Sequence, residues 1–421
     1  EVRERSVFAR KNYLYPDMPK GYQITQYDAP LCTGGSLPVA GPGGTRSYAL
    51  ERLHLEEDTG RSLHPERPGD RPVSRLDFDR AGVPLAELVT APVFREPAEC
   101  AAFLAGLRRL VRWLGVSDGD MEKGQLRCDA NVSLRPAGAP AAGGTGALGV
   151  RTELKNLNSI RGVERGLAAE IARQRELLAA GGEVVQATLL YDAGRDRLAV
   201  MRSKESAHDY RYFPEPDLPP LTVGPEWREA VRAALPELPW VRAGRVAATG
   251  GVSPRDAEAL CGQRELADYF EACAGVAGAV AASHWVLREL LGTLRERDWT
   301  VEVFAARVPA ERLGALAAAA AERRLPGPLA RRVFAWMLDE PGTVEEVLAA
   351  HGARAGVGGE ELGRLVREVL TEQARVAEQV RGGRARAFEF LVGQVLARSG
   401  GQADPEAVRA AVRAALEAPG P

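Results

Sequence analysis

Apolar and polar positions change their rhythm along the chain near FPEPDLPPLTVGP at 213–225. Upstream, short alternating runs sit between Gly/Pro turns, with one long helical pattern among them. Downstream, Ala, Leu, Arg and Glu recur at helical spacing, broken by Gly and Pro. Proline cannot occupy a helix interior, so the 213–225 stretch reads as a domain boundary. The pattern predicts an α+β N-terminal domain and an all-α remainder.

Two upstream runs alternate most cleanly. In QLRCDANVSLR (125–135), Leu126, Cys128, Ala130, Val132 and Leu134 share one face, opposite Gln125, Arg127, Asp129, Asn131, Ser133 and Arg135. VRTELK (150–155) sets Val150, Thr152 and Leu154 against Arg151, Glu153 and Lys155. PAGAPAAGGTGALG between them reads as a flexible loop, so an antiparallel pair with one apolar and one polar face is expected. Alternation leaves open whether the polar face meets water or a ligand. NSIRGVERGLAAEIARQRELLAAGG then predicts a helix with Asn158 or Ser159 as cap. Ile160, Val163, Leu167 and Ile171 form its apolar stripe, and Gly181-Gly182 ends it. VVQATLLYD and RLAVMRS predict a hairpin about residues 193–196.

The same period-2 rule divides RLHLEEDTG (52–60). As a strand it places Leu53, Leu55 and Glu57 on one face and Arg52, His54 and Glu56 on the other. Glu56 then has cationic neighbours and a surface position, while Glu57 points with the leucines. VPLAELVTAPV (83–93) repeats the pattern, with Leu85, Glu87 and Val89 together and both faces apolar enough to bury Glu87. An unpaired buried carboxylate costs several kcal/mol, so each needs a cation, a proton or donors. Two arrangements satisfy this. One is a pair of separate ion pairs with Lys11, Lys20 or Arg80. The other is a divalent ion shared by Glu57 and Glu87, where oxygen-only ligation suits Mg²⁺.

Composition narrows the classes. The chain has 421 residues, 45% hydrophobic and 27% charged, with a formal net charge of −2. That is an ordinary globular composition with length for several domains, and it excludes a histone-like electrostatic binder but not a local basic patch. No apolar run approaches the roughly 18 to 20 residues that span a bilayer. Five scattered cysteines with no C-x-x-C pair point to neither a disulfide framework nor a thiolate zinc site, which fits a cytoplasmic protein.

Seven motifs in order carry a family resemblance. They are ARKNYLYPDMPKGYQITQYDAPL, RLHLEEDTGRSLH, DFDRAGVPLAELVTAPVF, MEKGQLRCDANVSLRP, ELKNLNS, DYRYFPEPDLPPL and FEFLVGQVLARSGGQADP. Together they resemble the B subunits of bacterial and organellar aspartyl/glutamyl-tRNA amidotransferases, over essentially the whole chain. The resemblance implies an antiparallel-sheet cradle domain of glutamine synthetase-like fold over 1–222, a helical domain over 223–297 and a helical tail over 298–421. It implies an ATP- and Mg²⁺-dependent carbon–nitrogen ligase that activates the side-chain carboxylate of Glu-tRNA(Gln) or Asp-tRNA(Asn). Its partners would be an amidase A subunit that releases ammonia from glutamine, a small C subunit, and the misacylated tRNA, with no membrane association.

Site residues follow motif by motif. The second glutamate of L-H-x-E-E-D, Glu57, and the glutamate closing G-x-P-L-x-E, Glu87, match metal ligands. Lys11 and Lys20 match lysines lining the ammonia route, and with the two glutamates form the expected catalytic set. Arg127, Asp129, Asn131, Arg151, Glu153, Lys155, Asn156 and Asn158 match cleft strands that contact nucleotide or the aminoacyl end. In the tail, Arg381, Arg384, Arg386 and Arg398 near a Gly-Gly break are expected to contact tRNA, above a core marked by Phe390, Leu391 and Val395. Two departures stand out. Asp79 replaces the family's usual asparagine, and the family's leading G-L-E-x-H motif does not occur, so a segment before Glu1 is expected to be missing. A tRNA-binding scaffold without a working kinase centre is the alternative reading, and an amide ligase acting on a free amino acid is a third.

Overall fold

The computed structural model describes every residue except 42–43, 64–72, 136–147, 204–209, 354–356, 383, 401 and 418–421. The Gly/Ala-rich loop expected between the two alternating runs lies almost wholly outside the described residues. The chain forms two compact units, Glu1–Leu238 and Pro239–Pro421.

The first unit is α+β. Its longest strand, Gly44–Glu57, pairs antiparallel with Ser36–Gly41, Cys32–Thr33 and Pro84–Thr90. A second sheet orders the strands Ala130–Val132, Thr152–Lys155, Ala187–Asp192 and Arg197–Ser203. The expected antiparallel pair is present, with Ala130 opposite Leu154 and Val132 opposite Thr152. The expected hairpin is present too, closing at Asp192 opposite Arg197. The sheet is not purely antiparallel, however. Thr152–Lys155 runs parallel to Ala187–Asp192, and parallel neighbours need a crossover, here the helix Ile160–Ala179.

That helix begins as expected. The Ser159 side chain accepts from the Gly162 N–H at 3.0 Å, and the chain turns out at Gly181 with φ +76°. Val163 and Leu167 pack on Leu154, Leu157 and Tyr191, with Leu126, Cys128, Ala130 and Val132 against the same core. Helix and sheet approach closely at Gly166, where a Cβ would stand 3.2 Å from Leu157 Cδ2 and 3.3 Å from Tyr191 Cγ. The opposite face, with Gln125, Arg127, Asp129 and Asn131, is exposed, as alternation predicts. The first run is shorter than expected. Gln125 is committed to the preceding turn, its N–H donating to the Asp120 carbonyl at 2.8 Å and its amide to Asp118 at 3.1 Å.

The stretch 213–225 is not a linker. Phe213–Pro214 pairs with Ala9–Asn12, and Leu221–Thr222 pairs with Arg5–Ser6. Side chains of the paired strand also pin it. Arg10 forms a two-pronged ion pair with Glu215 at 2.7 Å, and Asn12 donates to the carbonyls of Tyr210 and Arg211 at 3.0 and 2.8 Å. The unit continues through the helix Pro225–Ala234 to Glu237, whose carbonyl accepts from the Trp113 indole at 3.0 Å. The first compact unit therefore runs past 222/223, to Leu238.

The second unit is helical. Arg264–Ala277 packs on Ala310–Ala321, whose Gly314 has no room for a Cβ against the Cys273 carbonyl at 2.9 Å. Tyr269 donates to the Val308 carbonyl at 2.8 Å and meets Phe304 edge-on. These contacts cross the 297/298 position expected as a boundary. Farther on, Gly359–Glu372, Ala385–Arg398 and Pro405–Glu417 share a core of Leu365, Val366, Leu391, Val395, Val408 and Val412. Leu391 and Val395 are buried as expected. Phe390 is 46% exposed, because the buried stripe runs through 391, 392 and 395 and leaves 390 on its flank.

Candidate active site

Register decides which carboxylates meet. Along Gly44–Glu57 and Pro84–Thr90, His54 stands opposite Glu87 and Glu57 opposite Pro84. Directly opposed residues project to one face, so Glu87 joins His54 and Glu56, while Glu57 belongs to the other face. The expected Glu57–Glu87 pair is thus split between faces. His54 Nε2 lies 3.2 Å from Glu56 Oε1 and 3.8 Å from Glu87 Oε2, and the three residues offer ligand atoms within 4.8 Å of one another.

Burial also differs from expectation. Glu56, expected at the surface, has a side chain only 6% exposed, whereas Glu87, expected to be buried, is 49% exposed. The reason is tertiary. The strand Tyr22–Thr25 covers the polar face of the long strand and brings its own donors. Thr25 Oγ1 donates to Glu56 at 2.6 Å and Gln23 Nε2 at 3.1 Å. Burial opposes ionisation of Glu56, but hydrogen bonds from His54 and Thr25 and the Lys11 charge outweigh it and hold the carboxyl below its ordinary range. His54 is 3% exposed, and its Nδ1 has no hydrogen-bond partner.

Glu57 has its own partners. Lys20 forms an ion pair with it, and the Ile24 N–H donates to it at 2.7 Å. This is the ion-pair arrangement of the sequence reading, with Lys20 as the cation. Lys11 lies with its Nζ 5.0 Å from the Tyr210 ring centroid. Asp58 extends the motif, its carboxylate held by Arg127 at 2.7 Å and approached by Arg80 at 3.9 Å. Arg127 is thereby tied to the Glu57 strand.

The other cleft residues gather on the mixed sheet. Lys155 Nζ bridges Asp129 at 2.6 Å and Glu153 at 3.3 Å, and Glu153 accepts from Thr188 at 2.9 Å. Burial works against the charge on Lys155, yet the hydrogen bond and charge of Asp129 raise its pKa. Asn131 and Arg151 are exposed. Asn156 takes the left-handed conformation, φ +63°, which asparagine tolerates, and donates to the Tyr191 carbonyl at 3.2 Å; Asn158 donates to Asn156 at 3.0 Å. These two asparagines shape the turn from strand to helix.

In the second unit the four tail arginines separate. Arg398 is engaged by Glu372 and lies 3.9 Å from Glu368, and Arg381 Nε donates to the Leu416 carbonyl at 3.3 Å. Arg384 and Arg386 line an open depression of about 610 Å³ with Val376, Gln379 and Phe390. The site residues expected from the sequence did not include His54 and Glu56, which the fold groups with Glu87. The signal was available, since alternation already placed both on one face, but that face was assigned to water.

Comparison with known proteins resolves the family. The GatB/GatE catalytic domain matches residues 1–229, and the GatB domain matches 268–416. The chain belongs to the family of aspartyl/glutamyl-tRNA(Asn/Gln) amidotransferase B subunits. The B subunit of Bordetella bronchiseptica is 45% identical over 415 residues, covering 97% of this chain and 84% of that relative. Those of Chlorobaculum tepidum and Coxiella burnetii are each 41% identical, covering 99% and 96% of this chain and 86% and 83% of theirs. No helix among the described residues is long and apolar enough to cross a membrane.

Proposed function

We propose that this chain is the B subunit of a tRNA-dependent amidotransferase, converting Glu-tRNA(Gln) to Gln-tRNA(Gln) and Asp-tRNA(Asn) to Asn-tRNA(Asn) in the cytoplasm. The partners are an amidase A subunit and a small C subunit, and the first unit serves as a cradle of glutamine synthetase-like fold. A carboxylate is a poor electrophile. Its oxygen therefore attacks the γ-phosphorus of ATP, ADP leaves, and ammonia then displaces phosphate at the acyl carbon. Such a transfer needs positioning and cationic groups around spreading negative charge.

The observation that carries this reading is the juxtaposition, about the end of the long strand, of two arrangements. One is the His54–Glu56–Glu87 cluster, and the other is the Lys20–Glu57 pair. The first fits a divalent cation, because two carboxylates and an imidazole converge with His54 as their nearest shared donor. Glu56, Glu87 and His54 would hold Mg²⁺, while Glu57, on the opposite face of its strand, holds Lys20. Mg²⁺ supplies charge neutralisation on phosphate oxygens. Lys20 and Lys11 add fixed positive charge beside the carboxylates. Lys20, held by Glu57, keeps its ammonium oriented, and Lys11 electrostatically favours ionised Glu56. Arg127, Asp129, Asn131, Arg151, Glu153 and Lys155 offer polar contacts for nucleotide or the aminoacyl end, with Asn156 and Asn158 setting the turn beneath them. In the second unit, Arg384 and Arg386 are the arginines open to tRNA phosphates, while Arg381 and Arg398 act within the fold.

Reconstitution with the A and C subunits, ATP, Mg²⁺, glutamine and misacylated tRNA tests the proposal. The expected result is tRNA-dependent ATP cleavage with formation of the amidated aminoacyl-tRNA. Binding of tRNA without ATP cleavage refutes the catalytic role and leaves a scaffold. Turnover of free glutamate refutes the tRNA substrate.

A further inference from the structure

Tyr13 and Tyr15, Tyr27, and Tyr210 and Tyr212, from three separate stretches of the first unit, form a row of tyrosines that the chemistry above does not use. Tyr15 meets Tyr13 at 6.0 Å between ring centroids, Tyr13 meets Tyr210 at 6.2 Å, and Tyr210 meets Tyr212 at 5.9 Å. Tyr212 lies flat on Tyr27 at 4.1 Å with a 7° interplanar angle. The two ends of the row are open, Tyr15 being 52% and Tyr27 53% exposed. Two exposed rings at the ends of a half-buried aromatic row present open faces at both of its limits.

Cations flank the row. Lys11 Nζ lies 5.0 Å from the Tyr210 centroid, and beside the row Arg10 and Lys20 lie 4.2 and 4.7 Å from that of Tyr22. The row also borders the carboxylates, since the strand Ala9–Asn12 leading into Tyr13 pairs with Tyr22–Thr25, whose Gln23 and Thr25 hold Glu56. Aromatic faces interleaved with basic side chains are the means by which proteins hold unpaired nucleic acid. We infer that the row Tyr15–Tyr13–Tyr210–Tyr212–Tyr27 is a stacking platform for the unpaired 3′ end of the tRNA substrate, with Tyr15 and Tyr27 as its open faces. The inference rests on the tRNA reading above and names the residues that deliver the aminoacyl end to the carboxylate cluster. A row open at both ends offers faces for more than one base, whereas the single adenine of ATP needs only one. Lys11 supplies positive charge beside the row for a polyanionic strand, whereas Arg10 and Lys20 are engaged by Glu215 and Glu57.

The test uses the full chain and an acceptor-stem minihelix whose unpaired 3′-terminal base is 2-aminopurine, which is quenched when it stacks on an aromatic ring. The wild-type chain should bind and quench. Tyr15→Leu and Tyr27→Leu should each weaken binding by roughly 5- to 150-fold and relieve quenching at the ring removed, from about 1–3 kcal/mol per stacked base. Tyr15→Phe and Tyr27→Phe should restore both signals, because the ring face and not the hydroxyl carries the contact. A blunt-ended minihelix should bind more weakly and be indifferent to the leucine changes. If the wild type binds and quenches but the leucine variants match it, the platform is wrong and the tRNA reading stands. If the variants lose ATP affinity and keep minihelix affinity, the rings belong to the nucleotide and the inference is overturned. If the wild type fails to bind the minihelix at all, the tRNA reading falls and the platform with it.

Discussion

Replacing Glu170 with alanine tests how the mixed sheet is held to its crossover helix. Glu170, Thr152 and Gln174 are fully buried. The carboxylate accepts from Thr152 Oγ1 and Gln174 Nε2 at 2.8 Å each, and from Arg173 through two contacts at 2.7 Å. Gln174 in turn accepts from the Leu134 N–H at 3.0 Å, so one helical turn fastens both strands of the antiparallel pair. In Glu170→Ala, Arg173 can swing to water, since its side chain is 42% exposed, and its loss counts for little. Thr152 and Gln174 cannot. Thr152 loses its main acceptor and Gln174 one of two at 2.8 Å, keeping Thr152 Oγ1, at about 1–3 kcal/mol per buried group left short. The Val132 carbonyl, 3.4 Å from both, recovers part of this. The net expectation is about 2–4 kcal/mol of local stability. Hydrogen exchange of peptides spanning 152–155 and 160–179 should then accelerate roughly 30- to 700-fold. Glu170→Gln keeps the shape and one acceptor and should fall between.

The pH dependence has a definite sign. Burial alone would raise the Glu170 pKa, but hydrogen bonds from Arg173, Gln174 and Thr152 outweigh it and depress the pKa below its ordinary 4.5. A depressed carboxyl contributes stability that is complete above the unfolded pKa and is lost as pH falls through the folded one. Wild-type protection should therefore decline below about pH 4.5 more steeply than that of Glu170→Gln. Exchange accelerated less than fivefold in Glu170→Ala, or parallel pH profiles for wild type and Glu170→Gln, would refute the reasoning.

Three other expectations concern the site and the packing. Glu56→Gln and Glu87→Gln should each raise the Mg²⁺ concentration for half-maximal ATP cleavage by about tenfold or more, by analogy with lost metal-site partners. Glu57→Gln should lower kcat by freeing Lys20, with tRNA affinity unchanged, and full activity in any of the three would contradict the assignment. Gly166→Ala forces a methyl against Leu157, Leu154 and Tyr191 at 3.2–3.4 Å and should destabilise the first unit by about 1–3 kcal/mol, measured by denaturant midpoint. Arg384→Ala and Arg386→Ala should each reduce the salt slope of tRNA binding by roughly one and weaken it across tRNAs, whereas Arg398→Ala, already paired with Glu372, should leave that slope unchanged.

Local rules settled a good deal by themselves. Period-2 alternation named the apolar faces that pack at Ala130, Val132 and Leu154, because a pleated strand leaves each side chain only two directions. Ser159 and Gly181 bounded the crossover helix, since capping depends on neighbours a few residues away. Seven motifs in order were enough to indicate the family. Alternation also put His54 and Glu56 on a common face, but it could not say what covered that face. Only the arrival of Tyr22–Thr25 made Glu56 a buried, hydrogen-bonded carboxylate, and only strand register brought Glu87 to it and sent Glu57 to Lys20. The proline-rich stretch shows the same limit. Its prolines exclude a helix, yet pairing with residues 5–10 is a contact more than two hundred positions away, and it is this contact that brings Tyr210 beside Tyr13 and Tyr212 beside Tyr27. Side-chain direction is a property of the local backbone. Which directions converge is decided by long-range pairing, and that pairing is what assembled the carboxylates and the tyrosine row.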